Sequence, residues 1–474
     1  MTQANIDPYL VQFALDDKEN PKNWSRARRW YLTGLSGFLT LDVSFASSAP
    51  AGIATQLRTS FKLSEMVTAM TISVFIVGYC VGPLFWGPLS EQYGRRPIFL
   101  VTVPVYACFQ VGCALSKNAA SLIVFRFLSG IFAAAVLTNS GALTSDIWDA
   151  KTRGKALAMF NLASFVGPTL APLVGGYVEL KMPWAWLFWI LTISAVVCSL
   201  LTYLTLPETY APIILLHKAK HLRYKTGDHR YYSPLELIQK QKLHERLAVT
   251  LTRPFKIFIC EPMLVVLTIY MSFIYGCMYL LYEAYPVVFT EGYHFQPESL
   301  GLTYIPLLGG NVLGVMVYLL IFNPQYEAAI DKHKIGLLPP EIRLDPAIFG
   351  APLFAITFFW FGWTSYPSIS YWAPIMSGVL TGLSACWIFL AAFNYIIDVY
   401  LFAAASALAA NTVVRSIAGA VFPLFAAKMY TALGPRWAST VLGCFSCIMI
   451  PIPFVLKRYG PALRAKSRFA PGPI

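Results

Sequence analysis

Charge is what this sequence has least of. Only 12% of its 474 residues are charged, where an ordinary soluble domain carries about 25%. So little polar surface excludes a chain that faces water on every side. The mean hydropathy of +0.58 points the same way, and the 57% of hydrophobic residues come in long blocks split by short charged segments. Lipid is therefore the solvent for much of the molecule. Histidine is scarce too. His217, His221, His229, His244, His294 and His333 are all there are, and none is expected within a helix. That excludes the paired His/Asp or metal-ligand site of a membrane enzyme such as an acyltransferase. No GxxxxGK[ST] run is present, so no bound nucleotide supplies energy and a gradient must. The nine cysteines lie almost entirely in apolar segments. Cys444 and Cys447 have CxxC spacing but no second pair or histidine nearby, which predicts packing rather than a metal or redox role. The opening residues MTQANIDPYL are polar and acidic rather than a signal peptide, and the first transmembrane helix is expected to serve as the insertion signal.

What is present is a succession of apolar blocks long enough to cross a bilayer. They run over residues 30–52, 67–88, 97–115, 121–143, 156–178 and 185–206, then 263–289, 300–322, 346–364, 371–393, 403–427 and 437–456. The predicted fold is an all-α membrane protein of twelve helices. It divides into a tail over 1–29, a six-helix half over 30–206, a polar loop over 207–260, a second half over 261–456, and a tail over 457–474. Lys and Arg fix the orientation, because they accumulate on the cytoplasmic side. With both termini inside, 28 of the 36 lie in cytoplasmic segments, 6 lie outside, and Arg126 and Arg415 lie within helices. This split explains the net charge of +13 without a nucleic-acid partner. Asp146 and Asp398 fall at similar places, the fourth–fifth and tenth–eleventh junctions, which suggests duplicated halves with a substrate site near the midplane between them.

The stretch GPLSEQYGRRP, residues 87–97, is read as a short loop after the second helix. Gly87 and Gly94 permit a tight turn and close approach. Glu91 can pair with a basic group or cap a helix of the same half, and Arg95 and Arg96 anchor the loop to the inner face. This stretch resembles the signature loop of the major facilitator superfamily, with Glu91 for the usual Asp and Gln92 where Arg is common. LIVFRFLSGIFAAA resembles the family's second motif, with Arg126 and Gly130. In the family this arginine is implicated in proton coupling; otherwise Arg126 snorkels near the helix end. Asp146 and Arg153 in SDIWDAKTRGKA match the acid–base pair that works with the signature loop. AMFNLASFVGPTLAPLVGGYV resembles the drug/proton antiporter motif through Ala158, Gly167, Ala171, Pro172, Gly175 and Gly176, or supplies a small-residue packing face. PKNWSRARRW, LPETYAPIILLHKAKHLRYKTGD, PEIRLDPAIFGAPLFAITFFWFGWTS and SALAANTVVRSIAGAVFPLF extend the resemblance to the fungal twelve-helix drug:proton antiporter group. That group, DHA1-like, includes polyamine, multidrug and secondary-metabolite transporters.

Ionisable residues inside the membrane are the working candidates. Asp42, midway along the first helix, is a protonatable acid or cation-binding group, or a structural aspartate facing Ser44 or another helix. Glu283 in the seventh helix is a second acid or a gate residue. Arg126 and Arg415 complete the coupling candidates, with Arg415 expected to pair with an acid across the bundle. Tyr279, Tyr282 and Tyr285 stand three apart around Glu283, as a stacking surface for substrate or as packing. Asn139, Asn311, Asn394 and Asn411 are polar at membrane depth with the same two roles open. The resemblance implies a proton-coupled antiporter that exports a drug, toxin, secondary metabolite or polyamine; the alternative is an importer or facilitator in the same fold. Its expected partners are a small organic substrate, protons and the lipid bilayer. No cofactor is expected beyond the proton gradient, and the fold is expected to act as a monomer at the plasma membrane.

Overall fold

The computed structural model describes residues 7–14, 16–149, 151–238, 243–333, 338–400, 403–467 and 469. In lipid a spanning segment must satisfy its own backbone, and an apolar block does so by coiling into a helix. Helix α1 spans Arg26–Ser48 and starts on Ser25, whose Oγ accepts from the Arg28 amide. It is followed by α2 (Glu65–Tyr93), α3 (Arg95–Ala114), α4 (Ala119–Ile147), α5 (Arg153–Lys181) and α6 (Ala185–Thr205). The central polar segment holds two longer helices, α7 (Ala211–Thr226) and α8 (Leu243–Cys260), with a short one at Pro234–Ile238 between them. Then come α9 (Pro262–Tyr285), α10 (Ile305–Val317), α11 (Asp345–Thr364), α12 (Trp372–Val399), α13 (Ala404–Met449) and α14 (Pro451–Ala465). Among the described residues ten helices are long and apolar enough to cross a membrane. Helix α1 is not one of these ten, since its arginines, hydroxyl side chains and Asp42 lower its hydropathy. The last of the ten runs over Ser406–Ala465 and breaks at Gly434, whose φ of 71° and ψ of 157° are non-helical.

Three segments depart from the sequence expectation. Residues 87–93 are not a loop but the last turns of α2, and only Gly94, at φ 101°, makes the turn into α3. The central polar segment is largely helical, so His217 and His221 lie on α7 and His244 on α8. The charged stretch after residue 322 continues α10 as the helix Asn323–His333, through a π turn at Tyr318–Phe322. At residues 87–93 and after residue 322 charged or polar residues end the apolar pattern without ending the helix, because a helix leaving the membrane can keep its backbone bonds and expose its side chains. In the central segment α6 does end at Thr205, and α7 starts afresh at Ala211.

The helices pack as two bundles. In the N-terminal one α4 lies against α2 and α3, α1 against α5, and α3 against α6. In the C-terminal one α9 packs on α13, and α12 on α10 and α11. Each bundle has its own apolar core. They meet along two seams, α2 with α13 and α5 with both α10 and the short helix Pro297–Leu302. The outward faces stay apolar. On α6, Leu187, Phe188, Leu191 and Ala195 are buried while Ile193, Leu200 and Leu204 are exposed. A helix apolar all round is suited to lipid on its outer side. The N-terminal segment is strapped to the central one. Val11 N donates to Tyr232 O at 2.9 Å, Tyr232 N to Tyr9 O at 3.0 Å, and Lys218 pairs with Asp17. That contact holds the Asp17 carboxyl below the ordinary carboxylate range.

Candidate functional site

Ion pairs and close contacts define two ends of the molecule. The proximal end carries Arg95, Asp146, Arg153, Asn323, Arg343 and Asp398; the distal end carries Gly52, Gly175, Gly176 and Pro297. Between the bundles lies a cavity reaching from mid-depth to the proximal end. The N-terminal bundle lines it with Ser44, Leu84, Gly87, Glu91, Phe160 and Asn161; the C-terminal bundle with Tyr275, Tyr279, Phe389, Phe393, Thr412 and Arg415; and α8 with Pro254. On α13 the lining residues Ala404, Leu408, Thr412 and Arg415 recur every three or four positions, so one helical face is presented. At 1.5 Å per residue Arg415 stands about 16 Å deeper than Ala404.

Aromatic rings close the distal side of the cavity. The Tyr279 hydroxyl is 2.7 Å from Ser47 Oγ of α1 and the Tyr282 hydroxyl 3.4 Å from Thr169 Oγ1 of α5. Beyond them Tyr285 stacks on Tyr304 and Phe361, with centroids 4.7 and 5.4 Å apart. Thus Tyr279 faces the cavity, whereas Tyr282 and Tyr285 sit in the layer that closes it. Glu283, one turn beyond Tyr279, makes no hydrogen bond or ion pair among the described residues and does not line the cavity.

The candidate acid Asp42 is buried at 3% exposure, but inside the N-terminal bundle rather than on the cavity wall. Its carboxyl lies beside Tyr106 of α3 and Ser194 of α6. Arg126 is fully buried nearby and donates to three backbone carbonyls: Thr71 at 2.9 Å, Ala46 at 2.8 Å and Ser47 at 3.1 Å. Phe75 covers its guanidinium at 4.2 Å. The arginine is interior, not snorkelling, and it ties α1 to α2 and α4.

At the proximal end Arg95 pairs with Asp146 at 3.2 Å and reaches Asn139 Oδ1 at 3.4 Å, with Tyr210 beneath it. Glu91 lies beside Arg95 and Arg253. Asn139 therefore belongs to this charge cluster and not to the cavity. Arg153 does not join it. Its guanidinium crosses to Asp398 of the other bundle, which Arg343 also reaches, at 2.9 Å. Lys155 pairs with Glu327 at 2.9 Å and Lys151 with Asp331 at 2.6 Å across the same seam. At the distal end a Cβ on Gly176 would lie 2.4 Å from Pro297 O, and one on Gly175 2.6 Å from Gly52 Cα. Gly167 meets α1 at Leu41 and Phe45 in the same way, and the Pro172 carbonyl faces Gly301.

A family model described as the Major Facilitator Superfamily matches residues 35–338. The chain belongs to the major facilitator superfamily. Curated relatives align over almost all of it. A citrinin biosynthesis cluster transporter of Monascus ruber is 39% identical over 98% of this chain and 93% of its own length. A multidrug transporter of Aspergillus fumigatus is 37% identical over 98% of this chain and 76% of its own. An efflux pump of Trichophyton rubrum is 38% identical over 98% and 78%. Among solved structures, the xylose transporter XylE from E. coli, in a partially occluded inward-open conformation, superposes with a TM-score of 0.63 at 18% identity. That match covers 91% of this chain and 99% of XylE, and it shows the fold.

In this major facilitator transporter several site residues go beyond those the motifs single out. Glu208, in the LPET run after α6, accepts from the Arg95 and Arg96 amides at 2.9 and 3.2 Å and so caps α3, where the helix dipole favours an anion; the Arg96 side chain stays exposed. Asp398 and Arg343 repeat Asp146 and Arg95 in the second bundle. Asn161 lines the cavity with its Oδ1 unpartnered among the described residues. Asn311 and Asn411 are buried off the cavity, donating to Leu307 O at 3.0 Å and Thr268 Oγ1 at 3.2 Å, and Asn394 donates to Leu390 O.

Proposed function

We propose that this transporter exports a small organic compound, a drug, toxin or secondary metabolite, in exchange for entering protons, with no cofactor beyond the proton gradient. The observation that carries the reading is the arrangement around α1. One short segment, residues 42–48, presents Asp42 to the interior of its own bundle and Ser44 to the cavity. The same segment touches Tyr279 of the other bundle through Ser47. A proton arriving at Asp42 changes the charge one helical turn before the Ala46 and Ser47 carbonyls that hold Arg126, and so acts on the wall of the cavity without entering it. The relatives, named as a multidrug transporter, an efflux pump and a citrinin-cluster transporter, support export. Twelve crossings follow if α1 joins the ten apolar helices and the break at Gly434 divides the last of them. The Lys/Arg bias then supports cytoplasmic termini and a cavity open to the cytoplasm. Action as a monomer in the plasma membrane completes the proposal.

Liposomes holding a pH-sensitive dye and loaded with a candidate compound test it. Outward movement of substrate should acidify the lumen, and Asp42→Asn should abolish that signal while the protein elutes and melts as wild type. Alkalinisation would mean symport. Substrate efflux with no proton signal in either variant would make the protein a facilitator and end the coupling role of Asp42 and Arg126.

A further inference from the structure

Two arginines lie inside the bundles, and their surroundings differ. Arg126 is saturated by three carbonyls. Arg415, at 9% exposure, has no hydrogen bond or ion pair among the described residues, and its buried Nε has no acceptor. The aspartate or glutamate expected to face it is not there. Three rings surround it instead: Tyr275 at 4.6 Å, and Phe389 and Phe393 each at 5.4 Å from the guanidinium. Ring faces attract a cation, yet they leave its N–H groups unmet, and a buried unpaired charge is expensive. All four side chains line the cavity. The only carboxylate among the described lining residues is Glu91 at the proximal end, already beside Arg95 and Arg253.

We propose that Arg415 is the anion-binding group of the cavity, so that the transported compound is an organic monoanion with an aromatic or apolar body. Its charge meets the Arg415 guanidinium at mid-depth. Its body lies against Tyr275, Phe389 and Phe393, and Asn161 Oδ1 is left to accept from a polar substituent. The Thr412 hydroxyl, whose proton goes to Leu408 O at 2.8 Å, can serve only as a further acceptor. A cationic substrate in the same place would face Arg415 with no opposing carboxylate. The inference rests on the cavity being the transport site.

The test compares probes of one shape and different charge. Purified protein is titrated calorimetrically with 2-naphthoate, 2-naphthamide and 2-naphthyl-trimethylammonium at neutral pH. The expected result is tenfold or greater preference for the carboxylate, lost in Arg415→Gln and partly retained in Arg415→Lys. Both variants are checked by size-exclusion profile and melting temperature. Equal binding of the three probes, a preference for the cation, no binding of naphthoate, or an unchanged Arg415→Gln variant overturns the proposal. The dye-loaded liposomes separate the two readings. If ammonium compounds exchange for protons while aromatic acids do not, export stands and the anion site falls. If nothing exchanges in the liposomes but naphthoate still binds through Arg415, export falls and the anion site stands.

Discussion

At the scale of single residues, two glycines with the same standing in the signature stretch do different work. Gly94 holds a φ of 101° and a ψ of 164°, a region almost confined to glycine that costs other residues about 1–3 kcal/mol. A Cβ there would also meet Glu208 Oε2 at 2.2 Å and displace the carboxylate that caps α3. Gly87 is helical, and its Cβ would meet only a Thr138 methyl at 3.8 Å. Gly94→Ala should therefore lower the apparent melting temperature of the purified transporter, and Gly87→Ala should leave it within a degree or two. Equal melting of the two variants would show that the turn is not strained. The spacing of the motif reveals both glycines, but not which of them bears a positive φ, since that depends on where α2 ends.

At the scale of helices, charge links the bundles along one seam. Arg153 opens α5 and reaches Asp398 at the end of α12, which Arg343 and the Tyr326 hydroxyl also approach. Removing one partner from a buried pair is costly, because the other is left charged and unpaired. Asp398→Asn orphans two arginines, whereas Arg153→Gln leaves Asp398 its bond to Arg343. Hydrogen exchange over residues 153–160 and 318–326 should rise in both variants, and more in Asp398→Asn. Protection equal to wild type in Asp398→Asn would show that these pairs do not hold the seam. This latch was half legible in the sequence. The motif points to Asp146 and Arg153 as partners within one half, and the repeat places Asp398 at the matching junction. That Arg153 takes the aspartate of the other half depends on how the bundles dock, which local spacing does not encode. The apolar blocks likewise gave the helices themselves, because lipid leaves the backbone one solution. They did not give the ends, since helices continue past the apolar stretch wherever polar side chains can turn to water. The face each helix shows to the cavity was not legible either. The sequence singles out Asp42, Asn139 and Tyr285 and passes over Asn161 and Tyr275, and only the packing shows that the latter two, with Ser44, line the cavity.

At the scale of the whole molecule, the cavity reaches one end of the bundle and is shut at the other, and the two closures differ in kind. The proximal seam is charged and partly exposed, so it can part by exchanging ion pairs for water. The distal one is backbone against backbone, with Gly176 on Pro297 and Gly301 on the carbonyl of Pro172, overlaid by the layer of Tyr282, Tyr285 and Tyr304. Such a contact is strong only while the residues are small. A single methyl at Gly176 would sit 2.4 Å from the Pro297 carbonyl oxygen, and a backbone atom cannot swing aside. The short helix Pro297–Leu302 must then move away from α5, while α5 itself gains helix propensity, about 1 kcal/mol in favour of alanine. Gly176→Ala should therefore leave the N-terminal bundle intact and disfavour distal closure. Hydrogen exchange over residues 286–304 should rise, exchange over 87–96 should not, and substrate flux should fall several-fold because the distally closed state is harder to reach. Gly34→Ala is the control, since its Cβ meets nothing within 4 Å and the residue lies off the cavity. Wild-type flux and an unchanged exchange pattern in Gly176→Ala would mean that the distal end opens and shuts elsewhere, and the aromatic layer, not the glycine face, would then be the gate.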